Sequence, residues 1–545
     1  MTISSPRRLP AAVAALAAAG ALVLSGCGTS AGTSSGGAAS TATPKAGGDL
    51  KVAIDADPIC LDPSQSNLIA SGVIGRQLVD SLLFQDPETS EFKPWLAESW
   101  TANADATGFS FVLREGATFS DGAPVDATAV KTFFDQVAAS AGKNPTGAGF
   151  LAGYKGTSVA DATHLTVEFA APNAPFLTGA ASRSLGILSP STVNTTFEDR
   201  CLGKGLIGSG PFVLDSFTPG ENARITGRKD YNWAPAGAAH QGAPYLDSVT
   251  YTVSAEPSVR SGSLKSGQVD VATTIQSQDE ASLSGGGFTI ASRVNPGVLT
   301  AVSANLSGTG LIADGTIREA LQLAIDREDI SNVVLSPSYG VAKSVLGETT
   351  PGFKDLSAEL AADPEGAKKL LEDNGWKTGA DGIREKDGKR LSLSVLYFYQ
   401  TNVYEYLQQQ LRAVGIDLVL NQVTAAVFST EMRSGKTDLV QASFSRPDAD
   451  ILRTVFGQSL NNSTFAKDGT AGNAEIQALL QQQRETTDTG QRAAIAGKIQ
   501  DQLIERNWSF PLAQLVQVLG VSPDVTGLSF DSFSVVTFYD AGFVE

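Results

Sequence analysis

The sequence predicts a mixed α/β body of at least two lobes. Three observations point there. At 545 residues the chain exceeds what one hydrophobic core usually holds. Short segments of period-two alternation succeed amphipathic helical ones along its length, and one stretch reads as a complete βαβ unit. The composition, 42% apolar and 18% charged, is that of a folded soluble protein; it excludes a disordered chain and a multi-span membrane protein.

The chain opens on an address. Arg7 and Arg8 precede an apolar run over residues 11–24, short of the ~20 residues a membrane span needs but suited to the core of a secretory signal. The run ends in Leu24-Ser25-Gly26-Cys27, which looks like a bacterial lipobox: cleavage precedes the cysteine, and the thiol carries diacylglycerol. A plain signal with a coincidental cysteine is the alternative. Leu9-Pro10 suits a twin-arginine signal poorly. Residues 1–26 are thus read as a lipoprotein signal peptide and 27–47 as the lipidated Cys27 and a Gly/Ser/Thr linker. That linker has too few large apolar groups to order itself and reaches roughly 25 Å. The body is expected outside the cell, on the outer face of the membrane or its periplasmic side, held by lipid alone. In an oxidising compartment the remaining cysteines, Cys60 and Cys201, favour one disulfide over two free thiols.

In the folded body, strands are predicted at 50–54, 109–114, 165–169, 212–217 and 249–253, the last reading Val-Thr-Tyr-Thr-Val. A helix follows Asp126, with Val130, Phe133, Phe134 and Val137 on one face. A second follows Asp314, with a stripe of Ile317, Leu321, Ala324 and Ile325. Asp363-Pro364-Glu365 opens a third and Gly375 closes it. A strand over 391–398, a helix over 403–414 ending at Gly415 and a strand over 416–420 form the βαβ unit, which implies a parallel pair with a right-handed crossover. Ligands in open α/β sheets sit beyond the carboxyl ends of strands, which places the turn 397–404 beside a cleft.

Net charge is −17, the wrong sign for a sequence-independent hold on nucleic acid. Catalytic constellations are missing. CxxC pairs, HExxH, a GxSxG nucleophile elbow and a P-loop are not found, and His164 and His240 read as surface or satisfied histidines. Gly208-Ser209-Gly210-Pro211-Phe212 is only superficially a nucleophile elbow, because proline and a strand follow. The residues favour a binding protein over an enzyme, with no cofactor and no metal site.

Several stretches, in order, resemble the bacterial extracellular solute-binding proteins of the oligopeptide/dipeptide/nickel class (family 5), which feed ABC importers. They are Gly47-Gly48-Asp49-Leu50-Lys51-Val52-Ala53 with Leu61-Asp62-Pro63; Asp80-Ser81-Leu82-Leu83 with Pro94-Trp95-Leu96-Ala97-Glu98-Ser99-Trp100; and, most specific, residues 111–125 around Phe119-Ser120-Asp121-Gly122. Ile207-Gly208-Ser209-Gly210-Pro211-Phe212 and Ile317-Arg318-Glu319-Ala320-Leu321 with Ala324-Ile325-Asp326-Arg327 complete the set. The resemblance implies a two-lobed, type II periplasmic-binding-protein-like fold with an extra subdomain. It places 48–77, 207–299 and 513–545 in the main part of lobe I, 78–206 in a small subdomain, and 300–512 in lobe II. It also implies a monomer that encloses a peptide or other small molecule and presents it to permease subunits. A sensor of the same fold without a transport role is the competing reading.

For the ligand, Ser443-Phe444-Ser445-Arg446-Pro447-Asp448-Ala449-Asp450 is the informative stretch. Peptide-binding relatives carry a tryptophan-containing segment here and an aspartate for the ligand's amine; Phe444 replaces the tryptophan. Arg446 in the cleft favours a carboxylate or phosphate, Asp448 or Asp450 an ammonium, and a mutual pairing of these residues leaves neither free. Tyr399, Gln400 and Asn402 from the βα turn, and Gln65 and Asn67 from the loop after Asp62-Pro63, are further candidates. A peptide-like solute leads; an opine, a sugar and a metal chelate stay open.

Overall fold

The computed structural model describes residues 43–544 apart from 67, 308–309, 400, 433 and 459–469. Cys27, Asn67 and Gln400 therefore lie outside the described residues. The described residues form one compact unit, built on three principal sheets.

The first is seven-stranded, in spatial order Thr289–Val294, Val516–Val521, Val271–Ala272, Asp49–Ile54, Ser248–Val253, Asn222–Gly227 and Phe212–Thr218. Asp49–Ile54 runs parallel to both of its neighbours, so three strands deliver their carboxyl ends to one edge. Alternation sets the buried face: in 249–253, Val249 and Tyr251 are fully buried. A four-stranded antiparallel sheet follows, Ala97–Ala102, Gly108–Leu113, His164–Phe169 and Tyr154–Val159. Phe109, Phe111 and Leu113 point one way from it into an aromatic core shared with Phe133, Phe134 and Phe176. The helix bearing Phe133 and Phe134, Ala127–Ala139, starts where Asp126 accepts a hydrogen bond from the Ala129 N–H.

The third sheet has five strands, Asp417–Gln422, Ser392–Tyr397, Leu439–Ser445, Gly297–Ala304 and Ser509–Ala513, around a second large apolar core. The βαβ reading holds: Ser392–Tyr397 and Asp417–Gln422 are parallel, joined by the helix Thr401–Ala413. Gly415 (φ +88°) reverses the chain in a conformation few side chains adopt. Asp314 and Asp363 cap their helices by accepting from Thr316 and Gly366 N–H groups. In the turn Ser120-Asp121-Gly122, the Asp121 carboxylate accepts from Ala123 N–H at 3.0 Å.

The first and third sheets are joined by two chain crossings. Thr289–Val294 passes into Gly297–Ala304 through Asn295 and Pro296, and Ser509–Ala513 into Val516–Val521 through Gln514 and Leu515. The crossings touch, Asn295 N–H donating to Leu515 C=O at 2.7 Å. Gly297 (φ +117°) admits no side chain, since a Cβ there would lie 2.1 Å from Phe444 C=O. No described helix is long and apolar enough to cross a membrane.

Candidate interlobe binding site

Lobe I, carrying the seven-stranded sheet, ends its parallel strands in loops that a buried arginine fixes. The Arg260 guanidinium donates to Ser254, Ala255, Thr273 and Thr274 C=O at 2.7–3.0 Å. These carbonyls belong to the loops leaving Ser248–Val253 and Val271–Ala272. Burial lowers the Arg260 pKa, and Asp55 on the third loop works against that. Past Asp55, Cys60 and Cys201 form a disulfide. The expected bridge is present, and it ties the start of the fold to a point 141 residues on.

Gln65 lies in that disulfide corner. Its Nε2 donates to Asp62 Oδ2 at 2.8 Å and to Phe197 C=O at 3.2 Å, and Asp62 in turn pairs with the buried Arg200 at 3.2 Å. Gln65 thus serves an internal network. From the same loop, Ser64 Oγ donates to Asn144 Oδ1 at 3.0 Å, and Asn144 precedes the short helix Pro145–Phe150.

Phe150 is where the lobes meet. The Arg446 guanidinium lies 4.8 Å from the centre of its ring. Lobe II brings Arg446 there at the carboxyl end of Leu439–Ser445, next to the crossing: Arg446 N–H donates to Pro296 C=O. Arg446 also lies 3.6 Å from Asp450 and donates to Thr454 Oγ1 at 3.4 Å. Burial lowers its pKa, with Asp450 and then Asp448 opposing.

The two aspartates are committed as well. Arg492 forks onto both oxygens of Asp448, with Nη1 at 2.7 Å. Thr178, on the helix Phe176–Ala181, donates to Asp448 Oδ2 at 2.8 Å across the seam. Burial pushes the Asp448 carboxyl up, and the charge and hydrogen bonds of Arg492 more than offset it, leaving the pKa below its ordinary value. Asp450, 1% exposed, is held by a bidentate Arg453 at 2.7 Å. Gln85 Nε2 donates to Pro447 C=O, and Ala174 N–H to Arg484 C=O, closing the same seam. A cavity of about 110 Å³ remains inside it, between Gln85, Thr178, Asp448 and Arg492.

Poorly matched polar groups sit on the lobe II edge. Ser392–Tyr397 and Leu439–Ser445 are parallel, so the Tyr399 turn and the Phe444–Arg446 segment leave from one side of the sheet. There Gln441 Oε1 accepts from Phe398 N–H at 3.0 Å, while the buried Gln441 Nε2 and Ser443 Oγ meet only the Tyr399 hydroxyl, outside good hydrogen-bond geometry, among the described residues. Burial raises the Tyr399 pKa, and weak hydrogen bonding to Ser443 and Gln441 partly counters it, so the three side chains are neighbours. Phe444 packs on the lobe II core, and Asn402 is exposed on the first turn of its helix. At the crossings, Asn295 Oδ1 and Gln514 Oε1 are buried without a hydrogen-bond partner among the described residues.

The structure therefore gathers Tyr399, Phe444, Arg446, Asp448 and Asp450 along one edge and its exit loop, and sets Gln65 apart. Sequence reasoning passed over Gln441 as a site residue, although its signal was present: on an otherwise apolar strand, Gln441, Ser443 and Ser445 recur with period two. Arg492 and Thr178 carried no local signal, because each meets Asp448 from a distant part of the chain. His164 pairs with Asp161 on an exposed turn and His240 with Asp540. Ser209 is fully buried and accepts from Asp80 N–H, so it is a packing residue. Among the described residues no group of three His, Cys, Asp or Glu side chains is placed to hold a metal ion.

Comparison with known proteins agrees with this architecture. The family profile described as bacterial extracellular solute-binding proteins, family 5, matches residues 91–462. The glutathione-binding protein GsiB of Escherichia coli (strain K12) is 24% identical over 504 residues, covering 90% of this chain and 94% of GsiB. NikA from Brucella suis, solved in complex with Fe(III)-EDTA, superposes with a TM-score of 0.76 at 23% identity, covering 90% of this chain and all of NikA. AppA from Bacillus subtilis, solved with a nonapeptide, gives a TM-score of 0.71 at 21% identity, over 92% of this chain and all of AppA.

Proposed function

The chain belongs to family 5 of the bacterial extracellular solute-binding proteins, the capture components of ABC importers, and from that premise we propose that it encloses a peptide-like solute between its lobes and delivers it to permease subunits. The observation that carries the reading is the polar cluster at the lobe II edge, where Gln441 Nε2 and Ser443 Oγ face the Tyr399 hydroxyl without a hydrogen bond of good geometry among the described residues. A peptide bond offers one donor and one acceptor, and an amide with two hydroxyls complements both. An unpaired buried polar group costs about 1–3 kcal/mol, a cost that a hydrogen-bonding solute relieves on binding.

Charge plays the lesser part. Arg446, Asp448 and Asp450 are paired within the protein, so Arg446 and its aspartates shape the mouth of the site and fix the closed seam. The glutathione named for GsiB and the nonapeptide held by AppA support a peptide-like solute. Residues 48–77, 207–299 and 513–545, with the small subdomain 78–206, move as one lobe, and 300–512 as the other. The crossings at Asn295 and Gln514 are the hinge, and the closed population is what a permease reads. A lipidated Cys27 keeps this monomer at the membrane surface.

Native mass spectrometry of the protein purified from its own cells tests the reading. The expected result is a discrete non-covalent adduct that fragments as a peptide, with diacylglycerol on the Cys27 peptide. Protein that carries no adduct and binds no member of a di- to nonapeptide panel by calorimetry contradicts it.

A further inference from the structure

Lobe I contains a second cavity, which shares Gln85 with the seam cavity and is lined by none of Tyr399, Gln441 and Ser443. It measures about 270 Å³ and opens between the hairpin of Leu83–Gln85 and Phe92–Pro94, the loop 231–239 and the C-terminal return 529–540. Its walls are the rings of Phe84, Trp95, Tyr231, Phe530 and Tyr539. Four carboxylates line it, Asp86, Glu88, Asp531 and Asp540, against one guanidinium, Arg76.

The charged groups are not equally available. Arg76 lies 4.7 Å from the Trp95 ring centre, and its terminal nitrogens donate to Ser81 Oγ and Val79 C=O. Asp86 is paired with Lys93, Glu88 with Arg293, and Asp540 with His240. Asp531 differs. Its Oδ1 accepts from Phe533 and Val535 N–H groups at 2.9 Å, and its Oδ2 accepts no hydrogen bond among the described residues. Arg76 and Arg183 lie near enough to act on Asp531 electrostatically, yet neither closes an ion pair with it. A second acceptor is idle: Gln85, 3% exposed, lines the cavity with an unpartnered Oε1.

We propose that this cavity is a second ligand site, which takes a small organic cation: a primary amine on an aromatic or branched apolar body. The aromatic walls hold the apolar body and favour positive charge over their faces. Asp531 Oδ2 and Gln85 Oε1 are acceptors without donors, and an ammonium brings three donors. An anion meets the opposite conditions, with four carboxylates in the lining and an arginine whose terminal nitrogens are already donating. The volume suits a single-ring amine and is too small for an oligopeptide.

The test uses the mature protein at pH 8 and ligand-observed NMR with benzylamine, benzyl alcohol and benzoate as probes. Benzylamine is expected to saturate at millimolar concentration or below, and benzoate to bind at least tenfold more weakly. Asp531→Asn is expected to weaken benzylamine about tenfold and leave benzyl alcohol unchanged. Ala238→Leu, which fills the cavity from a partly buried wall position, is expected to abolish all three at an unchanged melting temperature; if Ala238→Leu does not fold, protection of Trp95 amide exchange by benzylamine in the wild-type protein locates the site instead. Benzoate binding as tightly as benzylamine, an Asp531→Asn protein with unaltered benzylamine affinity, or displacement of benzylamine by the co-purified interlobe solute overturns the proposal.

Discussion

Two sheet edges flank the interlobe site, and they are finished differently. On lobe I, Arg260 satisfies four carbonyls at once, Gln65 is absorbed by Asp62 and Phe197, and a disulfide closes the corner. On lobe II, Gln441 and Ser443 keep buried polar atoms without a hydrogen bond of good geometry among the described residues. Protein interiors rarely leave such groups alone. The first edge is tied down by an arginine, a glutamine and a disulfide, although Asn144 Nδ2 and Arg200 Nη2 behind it are unmatched among the described residues as well; the second sets an amide and a hydroxyl against Tyr399, and the proposed solute recognition rests on that cluster.

Opening the lobe I corner tests the first edge. The Cys60–Cys201 bridge spans a separation of 141 residues, so replacing both cysteines by serine should lower unfolding free energy by about 5 kcal/mol in the chain-entropy view. Denaturant unfolding with and without reductant measures it; solute affinity of the surviving folded protein should change little. The seam comes next. Arg492→Ala leaves the Asp448 carboxylate buried without its partner, and a loss of about 3–5 kcal/mol is expected. Thr178→Val, which removes only the hydrogen bond across the seam, should cost about 1 kcal/mol and appear chiefly as a more open average shape in solution scattering.

The two regions should also respond oppositely to pH. Asp80, buried in lobe I and held by Trp233 and Tyr231, has its pKa pushed up to about 7, burial outweighing its hydrogen bonds and the nearby Arg76. Between its ordinary value near 4 and pH 7 the folded state holds a proton that the unfolded state has lost. Stability from this group therefore falls as pH rises through that window, by at most about 1.4 kcal/mol per unit. Asp448, with its pKa depressed, contributes stability that is present above its ordinary value and lost as pH falls below it. Asp80→Asn should flatten the decline between pH 4 and 7 and leave the acid limb, which thermal melts across pH will separate.

Much of this was legible in the sequence where chemistry is local. Asp126, Asp314 and Asp363 announced helix starts, Gly415 and Gly375 helix ends, and alternation at 109–113 and 249–253 the buried strand faces. The exit of Leu439–Ser445 was also readable as the informative stretch. What Arg446, Asp448 and Asp450 do there was not, because their partners Arg492, Thr178 and Phe150 lie up to 300 residues away and meet them only once the lobes are packed. For the same reason Gln65 looked like a cleft residue: its loop was placed by likeness, while the Arg200 and Phe197 neighbours that claim it come from a separate helix.

The most direct measurement is calorimetry of the co-purified solute on wild-type protein and on Ser443→Ala, each paired with a thermal melt of the solute-free form. Because the buried Ser443 hydroxyl has only a poorly aligned contact with Tyr399 without solute, its removal should change the stability of the empty protein little, while affinity drops about tenfold. A destabilised empty protein whose affinity is intact would show that the lobe II edge is structural and that the solute is held elsewhere.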